Sequence, residues 1–459
     1  MAAAPISVSK AASIEWLAAA GPEPVRLLAF QQQFEQSQWW PPELLLRHQF
    51  RQLSQLVEHA CRTIPFYRDR LAALGYRAGD AVTPEIWRQI RPITRREVQE
   101  AGGTLASPHV PAEHGFVAEV TTSGSTGLPV RVKKTALAQA IWDAVALREY
   151  RWNGCDFSQR LAVIRGPDRL RAPYPAGVAR VDWGPPVTLL YRTGPASILD
   201  VHAEAAEQAE WLLRTEPQYL LTFPSNALML ARHFRRNSLA LPSLRGVWTV
   251  SEVVDDGLRH ACRDAWGVEI ADAYSAAETG YIALQCPEHR HYHVQSESAL
   301  VEVLDEEGAA CGPGETGNVA VTPLHNFAMP LLRYEIGDRA EVGSPCPCGR
   351  GLPVIARILG RTKHELVLPC GRRRHPWLGT EEFAENPAIV QHQIVQRSLE
   401  ELEFRLVVRR PLTAAEETRL AEILTRNLGH PFRVRFRYLD AIPRAPSGRF
   451  FEFLSELEA

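Results

Sequence analysis

Short apolar runs alternate with longer amphipathic stretches through the middle of the chain. A stretch with helical periodicity at 203–213 lies between two of these runs. The apolar runs span residues 161–164, 219–223 and 246–250. Strands that alternate with helices are typical of βαβ units, whose strands lie parallel in one sheet. We therefore predict that residues 160–340 form the α/β centre of the fold.

Two regions that follow carry other patterns. Residues 300–304 and 318–322 are apolar runs on either side of an acidic, Gly/Pro-rich turn, which predicts an antiparallel strand pair in a smaller β subdomain. The last hundred residues predict a mixed α+β unit that is small enough to be a separate lid. Its predicted elements are a hairpin at 365–371, a helix near 380–385, a strand at 404–408, a helix at 414–427 and a strand at 432–436.

Residues 24–100 are predicted to be mainly helical and to form a cap over the core. After two prolines at 41–42, apolar side chains recur at three- and four-residue steps, which is the period of a helix with one buried face. These side chains are Leu46, Phe50, Leu53, Leu56 or Val57, and Ala60. Pro65 should end this helix, because proline cannot continue a helix and restrains the residue before it.

The composition is that of an ordinary globular protein and narrows the function by exclusion. The chain has 459 residues, of which 45% are hydrophobic and 23% charged, and this length suggests roughly two to four domains. A formal net charge of −2 gives no reason to expect binding to nucleic acid or to an anionic membrane surface. No apolar run approaches the roughly 18 residues of a spanning helix, and the N-terminus does not resemble a signal peptide. Eight cysteines are too sparse for a secreted disulfide scaffold, so we expect a cytoplasmic enzyme.

The stretch from Thr121 to Pro129 is the most informative part of the sequence. Five hydroxyl side chains and two glycines fall within residues 121–127. Glycine lets the backbone approach a ligand, successive N–H groups in such a turn form a concave anion site, and hydroxyls add donors. A flexible Ser/Thr/Gly linker is the alternative, but a strand predicted at 128–132 follows at once. The loop is not a P-loop, because no glycine immediately precedes Lys133 or Lys134.

Two acidic residues lie where ligands commonly bind. Glu278 belongs to a loop that follows an apolar-rich stretch, and open α/β sheets bind ligands at strand ends; a surface turn is the alternative. Asp338 follows Gly337, and an aspartate at a turn accepts two hydroxyl donors. A lone Gly-Asp pair more often marks a plain turn, so this signal is weak by itself.

A group of cysteines and histidines predicts a metal site. Two short clusters of thiol and imidazole ligands fit a tetrahedral structural zinc ion. The chosen ligands are Cys286, His293, Cys346 and Cys348, with His289 or His291 as substitutes for the histidine. The alternative is a set of buried thiols and surface histidines, since the spacing is not that of a standard zinc finger.

These motifs together resemble one family. The loop, in the form Thr-Ser-Gly-Ser-Thr-Gly-x-Pro, is similar to the phosphate-binding motif of the adenylate-forming enzymes, the acyl-CoA synthetase superfamily, and looks most like its phenylacetate–CoA ligase branch. Some relatives in this branch carry a Cys/His cluster beside the active-site subdomain, which favours zinc here. The resemblance implies that ATP phosphates are bound by Thr122, Ser123, Gly124, Ser125, Thr126 and Gly127.

The segment 272–280 is similar to the family's aromatic-Gly/Ser-x-x-Glu motif. By this resemblance Tyr274 would stack beside the nucleotide and acyl group, and Ser275 or Thr279 would contact phosphate. Glu278 would help to hold Mg²⁺, a metal that suits one or two carboxylates together with substrate phosphates. The aromatic residues Trp142, Tyr150, Phe223 and Trp248 lie on segments that line the acyl pocket in relatives, although each is more readily explained as core.

Three further residues take their roles from the resemblance. Tyr334-Glu335-Ile336-Gly337-Asp338 is similar to Tyr-Arg-x-Gly-Asp, so Asp338 would bind the ribose hydroxyls; Glu335 replaces the usual arginine. Gly360-Arg361-Thr362-Lys363 resembles the hinge before the lid, where Arg361 would reach ribose or phosphate and Lys363 would be the pivot. Without the resemblance, a Gly-Arg pair would indicate only a solvated loop.

The C-terminal motif departs from the family at one residue. Arg449 in Pro446-Ser447-Gly448-Arg449 stands where most relatives carry the lysine that contacts the carboxylate and the α-phosphate. Because arginine is bulkier and planar, this replacement is not conservative at a tight site. Alone, this segment would be interpreted as a basic surface loop.

The ordered set of motifs implies a fold and an activity. The fold would be α/β, with a large domain at 1–360 that contains parallel sheets, a smaller β subdomain and the helical region 1–100, and a small mobile α+β lid at 361–459. The activity would be ATP- and Mg²⁺-dependent activation of a carboxylic acid, aryl or related, to an acyl-adenylate, with coenzyme A as the expected acceptor. An amide synthetase that uses an amine, and a catalytically weak ligand-binding relative, are the alternatives. A homodimer is left open.

Overall fold

The computed structural model describes residues 21–457 except 122–129, 167–171, 362–364, 375, 377, 379–381, 384–385 and 446–447. The hydroxyl-rich loop with Thr122, Ser123, Gly124, Ser125, Thr126 and Gly127, and the pivot Lys363, therefore lie outside the described residues. Most of the helix predicted near 380–385 lies outside them as well.

Helices lie mainly at the N-terminus and between the strands of the central sheet. They are α1 (Pro22–Ser37), α2 (Pro42–Thr63), α3 (Pro65–Ala73), α4 (Pro84–Gln89), α5 (Arg95–Ala101), α6 (Ala136–Trp152), α7 (Ala205–Thr215), α8 (Pro224–Arg236), α9 (Asp256–Trp266) and α10 (Ala414–Leu428). Short 3₁₀ turns lie at Gly102–Leu105, Ala112–His114 and Val187–Leu189. Among the described residues, every helix falls short of the length and apolarity needed to cross a membrane.

Helix α2 confirms the predicted helix and most of its predicted buried face, including Leu53, Leu56, Val57 and Ala60. Its buried residues are Leu45, Gln49, Leu53, Leu56, Val57, Ala60 and Cys61, whereas Leu46 is exposed. The predicted phase was wrong at its start because a polar residue occupies the buried face. The Gln49 side-chain amide donates hydrogen bonds to the carbonyls of Ser296 (2.9 Å) and Ala299 (3.0 Å), which satisfies it without water.

The strands are numbered in chain order. They are β1 (Ile93–Thr94), β2 (Val117–Thr121), β3 (Arg131–Thr135), β4 (Leu161–Arg165), β5 (Val178–Arg180), β6 (Ala196–Asp200), β7 (Tyr219–Thr222), β8 (Gly246–Thr249), β9 (Ile270–Ala276), β10 (Gly280–Gln285), β11 (Tyr292–Val294), β12 (Ala299–Leu304), β13 (Thr316–Pro323), β14 (Tyr334–Val342), β15 (Val354–Arg361), β16 (Leu366–Val367), β17 (Arg373–Arg374), β18 (Ile389–Ser398), β19 (Glu401–Val408), β20 (Arg433–Tyr438) and β21 (Phe453–Ser455).

One large sheet has a parallel arm and an antiparallel arm. Its described strands run β12-β13-β14-β15-β11-β10-β9-β8-β7-β4-β6-β5, with β1 on β14. Strands β6, β4, β7, β8 and β9 are parallel, as the βαβ pattern predicts. Along the strand order from β9 to β12 the neighbouring strands pair antiparallel, including the predicted pair β12–β13, whereas β1 lies parallel to β14. The predicted smaller β subdomain is thus an extension of the main sheet, and the two arms meet at β9.

Each arm has its own hydrophobic core. Helices α7, α8 and α9 connect successive parallel strands and pack their apolar residues, such as Trp211 and Phe234, against that arm. Helix α2 and its neighbours supply Leu53, Leu56 and Ile64 to the core of the antiparallel arm. The N-terminal helices therefore do cover a core, as predicted.

The C-terminal segment folds as a mixed unit around a third core. Its four-stranded sheet has the order β20-β19-β18-β21, and α10 packs on it through residues that include Leu420 and Leu424. The predicted hairpin is present as β16 and β17. This arrangement confirms the α+β class predicted for the segment.

Candidate active site

The turn between β9 and β10 carries the residues of the predicted 272–280 motif. Strand β9 ends at Ala276, and Gly280 opens β10 with φ of 102°, a backbone conformation that favours glycine. Tyr274, Glu278 and Thr279 are buried, whereas Ser275 is half-buried. Because β9 is the last parallel strand, this turn lies where the two arms of the sheet meet.

Glu278 forms a buried ion pair. Its side chain is 3% exposed, and its Oε1 accepts a hydrogen bond from Arg95 Nη1 at 2.9 Å. The Tyr334 hydroxyl lies 3.4 Å from the same oxygen. The other oxygen, Oε2, accepts no hydrogen bond from a described residue. Among the described residues, the protein therefore holds one oxygen of this carboxylate.

Arg95 owes its position to the start of α5. Thr94 and Glu97 form a capping box, in which each side chain accepts a hydrogen bond from the other residue's backbone N–H. The cap fixes the direction of the first helical turn and places Arg95 against the β9–β10 turn.

Asp338 lies between a tyrosine and an arginine. The Tyr274 hydroxyl donates to Asp338 Oδ2 at 2.9 Å, and Arg361 Nε lies 3.3 Å from Oδ1. Asp338 and Arg361 are direct cross-strand partners of β14 and β15. Burial raises the pKa of the Asp338 carboxyl, and Arg361 opposes that shift. Three residues predicted separately from three motifs thus form one contact network.

The C-terminal segment reaches the same site through a docked loop. Arg444 donates hydrogen bonds to Ser225 Oγ (3.0 Å) and Asn226 Oδ1 (3.3 Å) at the start of α8. Glu252 accepts from the backbone N–H of Ser225 (2.8 Å) and of Phe450 (2.9 Å), which joins the two parts of the chain.

This docking places Arg449 among the charged residues of the site. Its electrostatic neighbours include Arg361, Glu252, Asp338 and Glu278. It forms no ion pair within 4 Å with another described residue. Gly448 approaches the large domain closely: a Cβ at this position would lie 2.9 Å from the Cα of Gly166, so a larger residue would push the loop out.

A cleft opens beside Glu278. It is lined by Lys134, Ala138, Ile141, Trp142, Val145, Glu278, Thr279, Gly280, Tyr281, Ser298, Pro323, His325 and Asn326. Of the four aromatic residues considered in the sequence, Trp142 lines this cleft. Tyr150, Phe223 and Trp248 belong to hydrophobic cores or pack against them, as their interpretation as core residues expects.

The Cys/His set converges at a second place, next to the antiparallel arm. One ligand atom from each of Cys286, His293, Cys346 and Cys348 lies within 4.8 Å of all the others. The Cys286 and Cys346 sulfurs are 3.9 Å apart, and Cys348 Sγ is 3.4 Å from His293 Nε2. A tetrahedral zinc ion with ordinary bond lengths would require about 3.8 Å between sulfurs and about 3.5 Å between sulfur and nitrogen. The geometry fits that donor set.

The protonation of His293 also suits a metal. Burial lowers the pKa of its imidazole to about 4, so the ring is neutral at pH 7, which is the form that binds metals. The substitutes considered, His289 and His291, are not part of the convergent group.

Sequence reasoning missed several residues of the site. Arg95, Lys134 and Glu252 each lie far along the chain from the motif that they contact, so only the folded chain brings them together. The capping pattern Thr94-x-x-Glu97 was a usable signal for Arg95, because it marks the first turn of a helix. We find no sequence signal for Glu252.

The fold and this arrangement define a class of protein. The fold is that of the adenylate-forming acyl-CoA ligases. A solved structure of 2-hydroxyisobutyryl-CoA ligase in the postadenylation state, in complex with R3-HIB-AMP, matches with a TM-score of 0.72 at 19% identity and covers 92% of both chains. Against the same ligase with 2-HIB-AMP and CoA in the thioesterification state, the TM-score is 0.58 at 20% identity, over 92% of this chain and 91% of that one.

Curated relatives point to one branch of this class. The phenylacetate-coenzyme A ligase of Thermus thermophilus is 27% identical over 392 residues, which cover 81% of this chain and 83% of that protein. The phenylacetate-coenzyme A ligase of Pseudomonas putida is 24% identical and covers 71% of this chain and 72% of its own. Residues 380–454 match the CapK C-terminal domain family. The predicted resemblance to the phenylacetate–CoA ligase branch is confirmed.

Proposed function

We propose that this protein is an adenylate-forming acid–thiol ligase, which activates a carboxylic acid with ATP and transfers the acyl group to coenzyme A. The observation that carries the proposal is the electrostatic convergence of Asp338, Arg361 and Arg449 on Glu278, which itself lines the cleft. The relatives are CoA ligases, and this supports coenzyme A as the acceptor. The similarity to CoA ligases does not favour the amide synthetase that the sequence left open as an alternative.

The nucleotide is bound by residues from three parts of the chain. Asp338 binds the ribose hydroxyls, with its carboxylate positioned by Tyr274 and Arg361. The loop at 122–127, together with Ser275 or Thr279, binds the phosphates. Thr279 supports this role, because its buried Oγ1 has no hydrogen-bond partner among the described residues.

Glu278 is the protein ligand of Mg²⁺ in this proposal. Its Oε2, beside a cleft, supplies the hard oxygen that Mg²⁺ prefers, while the remaining ligands come from phosphate and water. When bound, the ion neutralises charge on the phosphates. Arg95 holds the carboxylate in place through Oε1.

Two steps follow from this arrangement. The substrate carboxylate attacks the α-phosphorus of ATP, the bond to the β-phosphate oxygen breaks, and pyrophosphate leaves. Arg449 is a preorganised cation that faces the charge developing at the reacting groups. Electrostatic stabilisation of this kind usually contributes most to such transfers. In the second step the thiol attacks the acyl carbon and AMP leaves.

The C-terminal unit is the mobile lid of this reaction. We propose the boundary at residues 360–361 and the pivot at Lys363. The TM-score is higher with the postadenylation state than with the thioesterification state. This difference supports assigning the docked loop of Arg444 and Phe450 to the adenylation half of the cycle. The lid must then undock for the thiol to reach the adenylate.

The Cys/His cluster binds zinc in a structural role. The ion would join the β10–β11 connection, which carries Cys286, to the loop that carries Cys346 and Cys348. Four protein ligands leave no open position for substrate, which separates this site from the chemistry. Cytoplasmic location and a homodimer remain predictions.

Pyrophosphate release tests the activity. Purified protein with ATP, Mg²⁺ and a panel of aryl, aryl-acetic and aliphatic acids should release pyrophosphate with at least one acid. Hydroxylamine should trap the activated acyl group as a hydroxamate, and added coenzyme A should yield a thioester detectable by mass spectrometry. If no acid in a broad panel releases pyrophosphate, the proposal fails.

Arg449→Lys tests whether the arginine is used or marks a weak catalyst. We expect this variant to lose adenylation activity, because lysine keeps the charge near Arg361, Asp338 and Glu278 but not the planar donor set of the guanidinium. A large gain in activity would instead favour a decayed, ligand-binding relative.

A further inference from the structure

The cleft beside Glu278 contains a half-buried cation, Lys134. Lys134 lies on β3 between the exposed Lys133 and the buried Thr135. Its Nζ lies 4.8 Å from the ring centroid of Trp142. Lys134 forms no hydrogen bond or ion pair with a described residue.

The surroundings of this ammonium combine apolar and polar side chains, because Glu278, Thr279, Ser298, His325 and Asn326 also line the cleft. The cleft is lined by four residues of α6: Ala138, Ile141, Trp142 and Val145. Tyr281 of β10 lines it as well. Trp142 and Tyr281 are in contact, with ring centroids 5.0 Å apart. A desolvated cation in such a place is unfavourable unless an acceptor or an anion pairs with it.

The protonation of Lys134 reflects this environment. Burial lowers the pKa of its ammonium to about 8, and the Glu278 carboxylate opposes that shift. The group is therefore still mainly charged at pH 7. Among the described residues, Glu278 is the charged neighbour that affects it.

Of the described residues proposed for the nucleotide, Glu278 and Thr279 line the cleft with Lys134, whereas Asp338, Arg361 and Arg449 are outside its lining. Arg449 interacts electrostatically with Arg361, Asp338 and Glu278, whereas Lys134 shares only Glu278 with that group. In the proposed reaction the substrate carboxylate reacts near Glu278. The rest of the acid must then extend into the cleft, where Lys134 and Trp142 lie.

We propose that Lys134 determines the substrate class: the acid is aromatic and carries a second hydrogen-bond acceptor, a hydroxyl or carboxylate group, that pairs with the Lys134 ammonium. The ring of the acid lies against Trp142 and Tyr281. This inference rests on the proposed function, because it assigns the cleft to the acid that is activated.

Matched acids test the proposal. The probes are benzoate and phenylacetate with a hydroxyl, a carboxylate or a methyl group at the meta or para position. The methyl acids keep the size of the substituent and remove its acceptor. The wild-type kcat/KM for pyrophosphate release should be at least 10-fold higher for a hydroxyl or carboxylate acid than for the matching methyl acid, and the two acceptor series show which group is recognised.

Lys134→Met supplies the decisive comparison. The variant should lose at least 10-fold in kcat/KM with the preferred acid, equivalent to about 1.4 kcal/mol, and change less than about twofold with the methyl acid. The control is Lys133→Met, which removes the exposed neighbouring charge on the same strand and should leave both values unchanged. Lys134→Gln replaces the methionine variant if the latter does not fold.

Two results would overturn the inference. An equal loss with every acid would mean that Lys134 acts on the phosphates or on the reacting carboxylate, and no loss would mean that it does not contact the substrate. Absence of pyrophosphate release with any acid would instead count against the proposed function. Calorimetric binding of the same acids to wild type and Lys134→Met would then still measure whether Lys134 selects the acceptor-bearing acid.

Discussion

The active-site cleft and the Cys/His cluster bury polar groups in opposite ways. In the cleft, the protein itself compensates the acids: Glu278 pairs with Arg95, and Asp338 lies between Tyr274 and Arg361. In the cluster, the thiols and the imidazole mainly face one another. Burial raises the pKa of the Cys286 thiol, although hydrogen bonds from the backbone N–H groups of Glu288 and His289 oppose that shift.

The difference indicates what each region requires. A site whose charges are already compensated can fold empty and exchange ligands during turnover. A site whose potential ligands face one another is stabilised by a permanently bound ion, whose binding then becomes part of the folding free energy. We therefore expect changes in the cleft to affect activity more than stability, and changes in the cluster to do the reverse.

Glu278→Gln should give the largest effect and fall on activity. The amide keeps the size of the side chain and an oxygen for Arg95, but removes the charge proposed to hold Mg²⁺. We expect kcat/KM for pyrophosphate release to fall about 100-fold or more, about 2.7 kcal/mol, and Tm to fall no further than in a variant that weakens a comparable buried ion pair outside the site.

Glu302→Gln is the matched control for that variant. Glu302 also forms a largely buried ion pair, with Arg333 at 3.0 Å, but it lies outside the cleft lining. It should lower Tm and leave kcat/KM within about twofold. Similar losses of activity in both variants would contradict the distinction between the two regions.

Cys346→Ser should give the second-largest effect and fall on stability. Removing one of four ligands leaves an incomplete site, so bound zinc should fall from one per chain to near zero. Loss of a structural metal belongs to the mutations that cost about 3 kcal/mol or more, or about 6 °C in Tm for a domain of this size. Metal analysis by mass spectrometry and calorimetry measure both quantities.

Cys370→Ser is the control for the cluster, because Cys370 is exposed and lies outside it. This variant should keep its zinc and its Tm. The structural-zinc proposal would be contradicted if the wild-type protein is purified without bound metal and has the same Tm before and after zinc addition.

The two regions also differ in how far the sequence predicts them. All four residues of the Cys/His group were identified from short spacings and residue type, because thiols and imidazoles have few other reasons to cluster. In the active site the motif residues Glu278 and Asp338 were found, but Arg95, which pairs with Glu278, and Lys134, which lines the cleft, were not. Those contacts depend on where α5 and β3 are placed by the fold, which a linear pattern does not encode.

The same limit explains the error in α2. The three- and four-residue steps predicted its helix and its end before Pro65, but they placed Leu46 on the buried face. Hydrophobicity alone could not identify Gln49 as buried, because its amide is satisfied by the carbonyls of Ser296 and Ala299, more than 240 residues away along the chain.

Glu149 is a third kind of buried polar group, because its carboxyl remains protonated. It should have a smaller effect on stability, and that effect should depend on pH. Burial raises the pKa of its carboxyl to about 8, although the Tyr281 hydroxyl donates to it at 3.1 Å. Between pH 4.5 and 8 the folded protein therefore holds a proton that the unfolded chain has released, so this group lowers stability as pH rises through that window.

Glu149→Gln should remove that dependence. Urea unfolding at pH 6 and pH 8 should show a stability loss over this interval that is about 1–2 kcal/mol larger in wild type than in the variant. An equal loss in both proteins would show that Glu149 is ionised in the folded state.

Tyr274→Phe should give the smallest effect and is the finest test of the cleft. It removes the hydroxyl that donates to Asp338 Oδ2 at 2.9 Å and keeps the ring. Because a hydrogen bond to a charged group contributes about 1.5 kcal/mol at the lower end of its range, the KM for ATP should rise about 10-fold with kcat nearly unchanged. Tyr292→Phe is the control: its hydroxyl donates to Asp272 at 2.6 Å, outside the nucleotide site. A KM for ATP that rises equally in both variants would mean that the Asp338 network supports the sheet rather than the ribose.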